Sequence, residues 1–190
     1  MIGDFTGFFD NLDHAYLKQQ WCSLVGVDRL PSDHFKVFKN ITSYSKMELT
    51  DLLRINGLED TKSDRKKING VARVLTPEQF KENRSLIQKH VDPYGIPQGS
   101  PISGILANVY MLDVDKQIND AVNKLGGMYI RYSDDFMIIL PDAPEIDAAK
   151  ELKRIADMFK HAPRLTLEPS KTQYFHFENW NTNSSMHYQQ

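Results

Sequence analysis

Two adjacent aspartates, Asp134 and Asp135, stand where two short apolar runs meet, residues 128–132 and 136–140. Each run has the length of a strand, and Ser133-Asp134-Asp135 between them reads as a tight hairpin. Aspartate is common in turns, so an isolated pair would mean little more than that. Adjacent carboxylates repel, however, and a fold that holds them together needs a cation nearby. Asp4 supplies a third acid: it ends a short strand at residues 1–5, inside the string DFTGFFDNLDH. A strand-end carboxylate beside a hairpin-tip pair makes a cluster of oxygen ligands. Such ligands suit Mg²⁺, which also takes waters and substrate phosphates. Two such ions about 4 Å apart can stabilise the attacking and leaving oxygens of an in-line displacement.

The rest of the chain is read around this cluster. Asp10 is expected to cap a helix over residues 11–24, with Asp13 in its first turn and Leu12, Tyr16, Leu17, Gln20 and Leu24 near one face. Residues 28–92 resist reading and are expected to be an insertion or finger-like subdomain. Helices are possible there at 51–58 and 77–89, and the charged run KSDRKK at 62–67 reads as an exposed loop. Order returns at Tyr94. GIPQGS is a Gly- and Pro-rich loop. Ser100 is expected to cap a long helix with Pro101 at its first position, and Gly126-Gly127 to end it. Its apolar positions are Ile102, Ile105, Leu106, Val109, Leu112, Ile118, Val122 and Leu125. A further helix is expected to open at Asp142 and Pro144, with Ile146, Ala149, Leu152, Ile155 and Phe159 as its core stripe. Residues 164–167 and 172–177 read as a last strand pair, and 179–190 as a loose polar tail. The order strand, helix, insertion, helix, hairpin, helix, strand pair predicts an α+β fold, with an antiparallel sheet covered by helices on one face.

Four strings now occur in a telling order. DFTGFFDNLDH from Asp4, YGIPQGSPISGILANVYM from Tyr94, RYSDDFMI from Arg131 and LTLEPSKTQYFHF from Leu165 resemble motifs A to D of bacterial reverse transcriptases. These are the enzymes of group II introns, retrons and phage-defence systems. The resemblance covers residues 1–9 and 94–177. It implies a polymerase palm with a ferredoxin-like (RRM-like) sheet, in a domain spanning residues 1–178. It also implies two Mg²⁺ ions, with Mn²⁺ as a substitute, and RNA template, DNA primer and dNTPs as partners. Fingers before motif A and a thumb after motif D are expected as further segments of the same protein.

Residue by residue, the resemblance implies that Asp4 and Asp134 bind both metals. Asp135 is the weaker third carboxylate, and the backbone carbonyl of Phe5 an extra ligand. Phe9 matches the aromatic gate under the sugar of the incoming nucleotide. Pro97, Gln98 and Gly99 match the loop that packs on the nascent base pair, with Gly99 allowing close approach of the backbone. Tyr132 matches the tyrosine near the primer end. Lys171 matches the lysine that can protonate the leaving pyrophosphate.

Blander readings govern the other polar residues. Capping and local packing explain Asp10, Asp13 and His14. Asp113 and Asp115 read as solvated helix residues. His161, His176 and His187 have no zinc-ligand spacing with the single cysteine, Cys22, which reads as a small buried hydrophobe. The net charge of −2 argues mildly against nucleic acid, but acids that hold metals lower it while serving nucleotide chemistry. No apolar run is long enough to span a bilayer, the N-terminus lacks a signal peptide's pattern, and one cysteine fits a reducing bacterial cytoplasm. Two competing functions are an RNA-dependent RNA polymerase palm and a non-catalytic palm-derived binding module. Tyr-Ser-Asp-Asp in place of Gly-Asp-Asp, and the aromatic Phe9, argue against the first. The three carboxylates argue against the second.

Overall fold

The computed structural model describes residues 1–177 and 188–189. In chain order the elements are β1 (Ile2–Gly3), α1 (His14–Val25), α2 (Ser32–Thr42), β2 (Ser45–Lys46), α3 (Leu49–Ile55), α4 (Lys62–Asn69), α5 (Pro77–Glu82), β3 (Gln88–Lys89), α6 (Pro101–Lys124), β4 (Met128–Tyr132), β5 (Asp135–Ile139), α7 (Ala148–Met158), β6 (His176–Phe177) and β7 (Tyr188–Gln189). They form two compact units, Met1–Ile41 with Pro93–Gln190, and Thr42–Asp92. Among the described residues, no helix is long and apolar enough to cross a membrane.

The first unit is built on a small antiparallel sheet in the order β1-β5-β4. Its register aligns Ile2, Met137 and Ile130 in one row and Gly3, Phe136 and Arg131 in the next. Strand alternation sends the second row, with Ile138 and Tyr129, to the inner face. Phe136 and Ile138 are buried there, while Met128, Ile130 and Tyr132 are exposed on the other face. Helix α6 contacts β4, and α1 and α7 contact α6. Four rings, Phe5, Phe8, Phe136 and Phe159, pack with centroids 4.5–5.7 Å apart. The result is an α+β arrangement of helices and a small antiparallel sheet.

Two glycines mark where backbone and rings come closest. A Cβ on Gly3 would lie 2.5 Å from the Phe136 ring. A Cβ on Gly127 would lie 2.3 Å from the carbonyl oxygen of Ile139, where the chain leaves α6 for β4.

Several expected elements are displaced, each for a local reason. Residues 9–11 form a 3₁₀ turn, and α1 begins at His14 because Asp13, not Asp10, accepts the Tyr16 amide at 2.9 Å. Leu24, expected on the inner face of α1, is exposed, and Cys22 is buried instead. Ser100 does occupy the cap position of α6 but makes no side-chain cap bond. Ile105 and Leu112 are exposed, and Val114 takes their place in the core. Helix α7 starts later than expected, because Asp147 accepts the Lys150 amide at 3.0 Å. Ile155 and Phe159 are buried but Ala149 is exposed.

The largest change lies after α7. Residues 164–167 and 172–177 do not pair with each other. They flank the free edge of β1, through Thr6–Thr166, Glu168–Asp4 and reciprocal Ile2–Gln173 backbone bonds of 2.8–2.9 Å. That edge would otherwise leave peptide groups unpaired. His176–Phe177 instead pairs with Tyr188–Gln189. The expected loose tail, 179–190, lies otherwise outside the described residues.

In the second unit, residues 62–67 belong to helix α4, not to a loop. Thr61 caps it through the Asp64 amide, and Lys67 pairs with Asp64 at i,i+3. The helix expected at 77–89 stops at Glu82, after a Thr76–Gln79 capping box, and β3 then pairs with β2. Helix α3 ends at Ile55 instead of Leu58. Residues 28–41, including most of α2, group with the first unit.

Gly127→Ala tests the closest approach. A methyl group aimed at the Ile139 carbonyl has no room, so overpacking is expected to cost about 1–3 kcal/mol in urea unfolding. A change below about 0.5 kcal/mol, the usual scatter of surface substitutions, would show that the α6–β4 junction yields freely.

Candidate active site

Asp4 leaves the end of β1 with its position set from both sides. Met137 and Phe136 pair with the strand before it, and its own carbonyl accepts the Glu168 amide at 2.8 Å. Asp4 is buried, at 5 % exposure. Its Oδ1 has no hydrogen-bond partner among the described residues, while Oδ2 accepts from the Lys171 ammonium.

Lys171 reaches Asp4 because a tight turn presents it. Glu168 accepts the Lys171 and Thr172 amides at its carbonyl, and its carboxylate takes the Ser170 and Thr6 hydroxyls at 2.8 and 2.9 Å. Asp4 raises the Lys171 ammonium above the ordinary lysine value, by hydrogen bond first and then by charge, and Asp134 and Asp135 add to the rise. Asp4 thus bonds the cation directly, and the two hairpin acids act on it through charge alone. A raised lysine contributes its full stability below the free value of 10.5 and loses it as pH rises past the folded value. The Lys171 side chain is 64 % exposed, so solvent screens that contribution.

The hairpin lies across the strand from Asp4. Its two-residue turn is Ser133-Asp134, and Ser133 takes a left-handed conformation at φ 59°. Asp135 is therefore not at the tip but the first residue of β5, opposite Tyr132. Asp4, Asp135, Tyr132 and Lys171, with Ile2 and Met137, line an open concavity of about 330 Å³. Tyr132 is 84 % exposed beside it.

The side chains of Phe5, Phe9, Pro97 and Gln98, and Gly99, do not line this concavity. The Phe5 ring is in the core. Phe9 is partly buried in the 3₁₀ turn, with its ring 5.4 Å from Phe8 in an edge-on arrangement. The Phe9 carbonyl accepts the Ile96 amide at 2.9 Å, and Leu12 accepts from Gly95 at 2.8 Å. These bonds zip the segment after Asp4 to the loop before α6. Gly95, at φ 86°, permits the zip, since a Cβ there would lie 2.9 Å from the Asp10 carbonyl oxygen. His14 adds a bond to the Gly95 carbonyl at 2.7 Å. Pro97 is held by the Ser103 hydroxyl at 2.5 Å, whereas Gln98 and Gly99 are exposed. Among the described residues, nothing lies within 4 Å of where a Gly99 Cβ would sit; its φ of 88° is what favours glycine there.

Three residues of the site region escaped the sequence reading. Asp115 is not simply solvated: it accepts from Tyr129 and from two guanidinium nitrogens of Arg131. Strand alternation carried the signal, since Arg131 falls on an inward position and an inward arginine demands a carboxylate. Asp113 likewise accepts from buried Gln20 at 2.8 Å. Tyr110, fully buried, donates to the Pro163 carbonyl at 2.6 Å and accepts from the Asp13 amide at 3.2 Å. Burial pushes its phenol well above the ordinary tyrosine value.

The model of the family described as reverse transcriptase (RNA-dependent DNA polymerase) matches residues 31–189. The chain belongs to the reverse transcriptase family. No match to a curated protein is found. Membership implies an RNA-directed DNA polymerase that binds template, primer and nucleotides. The reverse transcriptase match spans the Pro97–Gly99 loop, the Asp134 hairpin and Lys171; Asp4 and Phe9 precede it and join it through the contacts above.

The donor chemistry at this centre suits a hard divalent ion: the acids are all carboxylates, and Asp4 Oδ1 is buried without a partner. Among the described residues, no three Asp, Glu, His or Cys side chains are gathered closely enough to hold an ion, and Lys171 supplies the positive charge. Asp4→Asn is expected to raise the melting temperature by roughly 2–4 °C, because it removes the charge of a buried carboxylate, a penalty of about 1 kcal/mol or more of which an exposed lysine offsets little. A lower melting temperature would mean that the Asp4–Lys171 pair outweighs that penalty.

Proposed function

We propose that this chain is the catalytic palm of an RNA-directed DNA polymerase, joining deoxynucleotides to a primer 3′-hydroxyl with Mg²⁺ or Mn²⁺ held by Asp4, Asp134, Asp135 and the Phe5 carbonyl. The observation that carries the reading is the buried Asp4, with one carboxylate oxygen unpartnered, facing Asp135 and Lys171 across one open concavity beside the Asp134 turn. Two bound divalent ions would lower the pKa of the attacking hydroxyl and neutralise the leaving pyrophosphate.

The chain's own residues supply the rest. Lys171, kept protonated by its raised value, turns from Asp4 to give its Nζ proton to the pyrophosphate. Tyr132 offers an exposed ring to the primer end. The Pro97–Gly99 loop, anchored by Ser103, packs on the new base pair. Phe9, fixed at its backbone by Ile96, gates the sugar: its ring leaves a 2′-hydroxyl desolvated without a hydrogen bond. The palm's sheet is of the ferredoxin-like kind, with fingers and thumb as further segments of the protein. The motif resemblance supports a bacterial, cytoplasmic enzyme of a mobile element or of phage defence.

Two measurements test this on the complete protein. In primer extension, Asp134→Ala is expected to lose more than about a hundredfold in rate, the share of transition-state charge stabilisation that one ligand supports. Normal activity would sink the metal assignment. Phe9→Val is expected to shift the dNTP-to-rNTP ratio of kcat/KM toward ribonucleotides by roughly ten- to several-hundredfold. Equal loss on both sugars would make Phe9 a packing residue. Equal use of both sugars by the wild type would favour RNA synthesis.

A further inference from the structure

Arg131 is the one charged residue on the inner face of β4, and its side chain is only 5 % exposed. Its guanidinium is divided between two tasks. Nε and Nη2 grip the Asp115 carboxylate of α6 at 2.9 and 2.6 Å, and Nη2 also reaches the Asn108 amide oxygen at 3.2 Å. Nη1 points the other way, along its own strand, and donates to the Ser133 carbonyl at 2.7 Å. Asp115 is itself held by the Tyr129 hydroxyl at 2.7 Å. The arrangement is a brace from the middle of α6 to the hairpin turn.

The bond to Ser133 falls at a particular place. Ser133 is one of two described non-glycine residues with positive φ, at 59°. A left-handed serine costs about 1–2 kcal/mol and persists only where its surroundings enforce it. Its carbonyl belongs to the peptide plane that continues directly into Asp134. A charge-assisted bond to that carbonyl sets the plane, and with it the direction in which the Asp134 side chain leaves the backbone. Asparagine or glycine, the usual occupants of such turns, are absent from Ser133-Asp134.

We propose that Arg131, anchored by Asp115, is a positioning residue that fixes the Ser133–Asp134 peptide and so aims the hairpin carboxylates at the site of Asp4. This rests on the reading that Asp134 serves nucleotidyl transfer. Arg131 touches neither Asp134 nor Asp4 with its side chain in the bonds given above; it acts through the turn. Lysine cannot replace it, because one ammonium can keep the Asp115 pair but lacks the second arm of the fork.

Arg131→Lys separates the tether from the ion pair. In the complete protein without metal, the Ser133, Asp134 and Asp135 amides are expected to exchange with solvent roughly tenfold faster in the variant, with amides of α6 unchanged, since only the turn opens more often. In primer extension, the half-saturating Mg²⁺ concentration is expected to rise roughly 10- to 100-fold, as for other partners that orient metal ligands. Asp115→Asn, which keeps the shape and weakens the anchor, is expected to move both readouts in the same direction and decides the matter if Arg131→Lys does not fold. Turn exchange equal to wild type, or exchange accelerated equally along α6, would overturn the positioning role. A wild type that incorporates no nucleotide with Mg²⁺ or Mn²⁺ would overturn the polymerase reading instead, and exchange at the turn would still decide whether the brace holds the hairpin.

Discussion

The pairing of β1 with β5 is the constraint on which the centre depends. It is only two residues long, yet it sets Asp4 against a hairpin whose turn, Ser133-Asp134, is far from it in sequence. Two residues of ladder stabilise little by themselves. The pairing survives because Gly3 leaves room for the far end of the Phe136 ring against β1, and because Phe5, one residue past Asp4, plants its ring among Phe8, Phe136 and Phe159. The other edge of β1 is closed by residues 166–173. Asp4 is thus an acid between two aromatic anchors, and its burial follows from theirs.

Helix α6 is the platform that brings the other parts together. Along one helix, Ser103 binds the Pro97 carbonyl, Tyr110 ties the Asp13 amide to the Pro163 carbonyl, and Asp115 grips Arg131. These residues lie seven and five positions apart, about two turns and then one and a half. They face different neighbours: the loop before the helix, the start of α1, and β4. A rigid helix of 24 residues can hold such distant pieces in fixed relation where loops alone could not.

The signals that sequence carries well are local ones. The hairpin, the long helix with Pro101 at its start, and the turn that bears Lys171 all follow from turn chemistry and periodicity, and all three occur near their expected places. The misses have two causes. Some are local signals weighed wrongly: KSDRKK looked like a loop from its charge, although Thr61 and the Asp64–Lys67 spacing are helix signals. Others depend on contacts that no local pattern encodes. The edge of β1 takes its partners from residues 166–173, so a pattern that looked like a strand pair became two flanks of a third strand. Lys171 was legible as a turn lysine near a motif, but its contact with Asp4 spans 167 positions. Asp115 and Arg131 are only 16 apart, yet one is on a helix and the other on a strand, so their meeting depends on how α6 lies on the sheet.

The two cations near the acids differ in a way that suits different tasks. Arg131 is buried and bound on three sides, to Asp115, Asn108 and Ser133, so its charge stays in place whatever enters the concavity. Lys171 is mostly exposed, on a flexible stem, and holds Asp4 by a single ammonium contact. A buried carboxylate that serves the proposed metals needs positive charge beside it before any ion or substrate arrives. A lysine can meet that need and then swing into water at small cost, because its ammonium is well hydrated there. An arginine at the same place would bind the carboxylate with two arms and resist displacement. On the proposed mechanism, then, lysine belongs where the charge must be surrendered, and arginine where the backbone must not move.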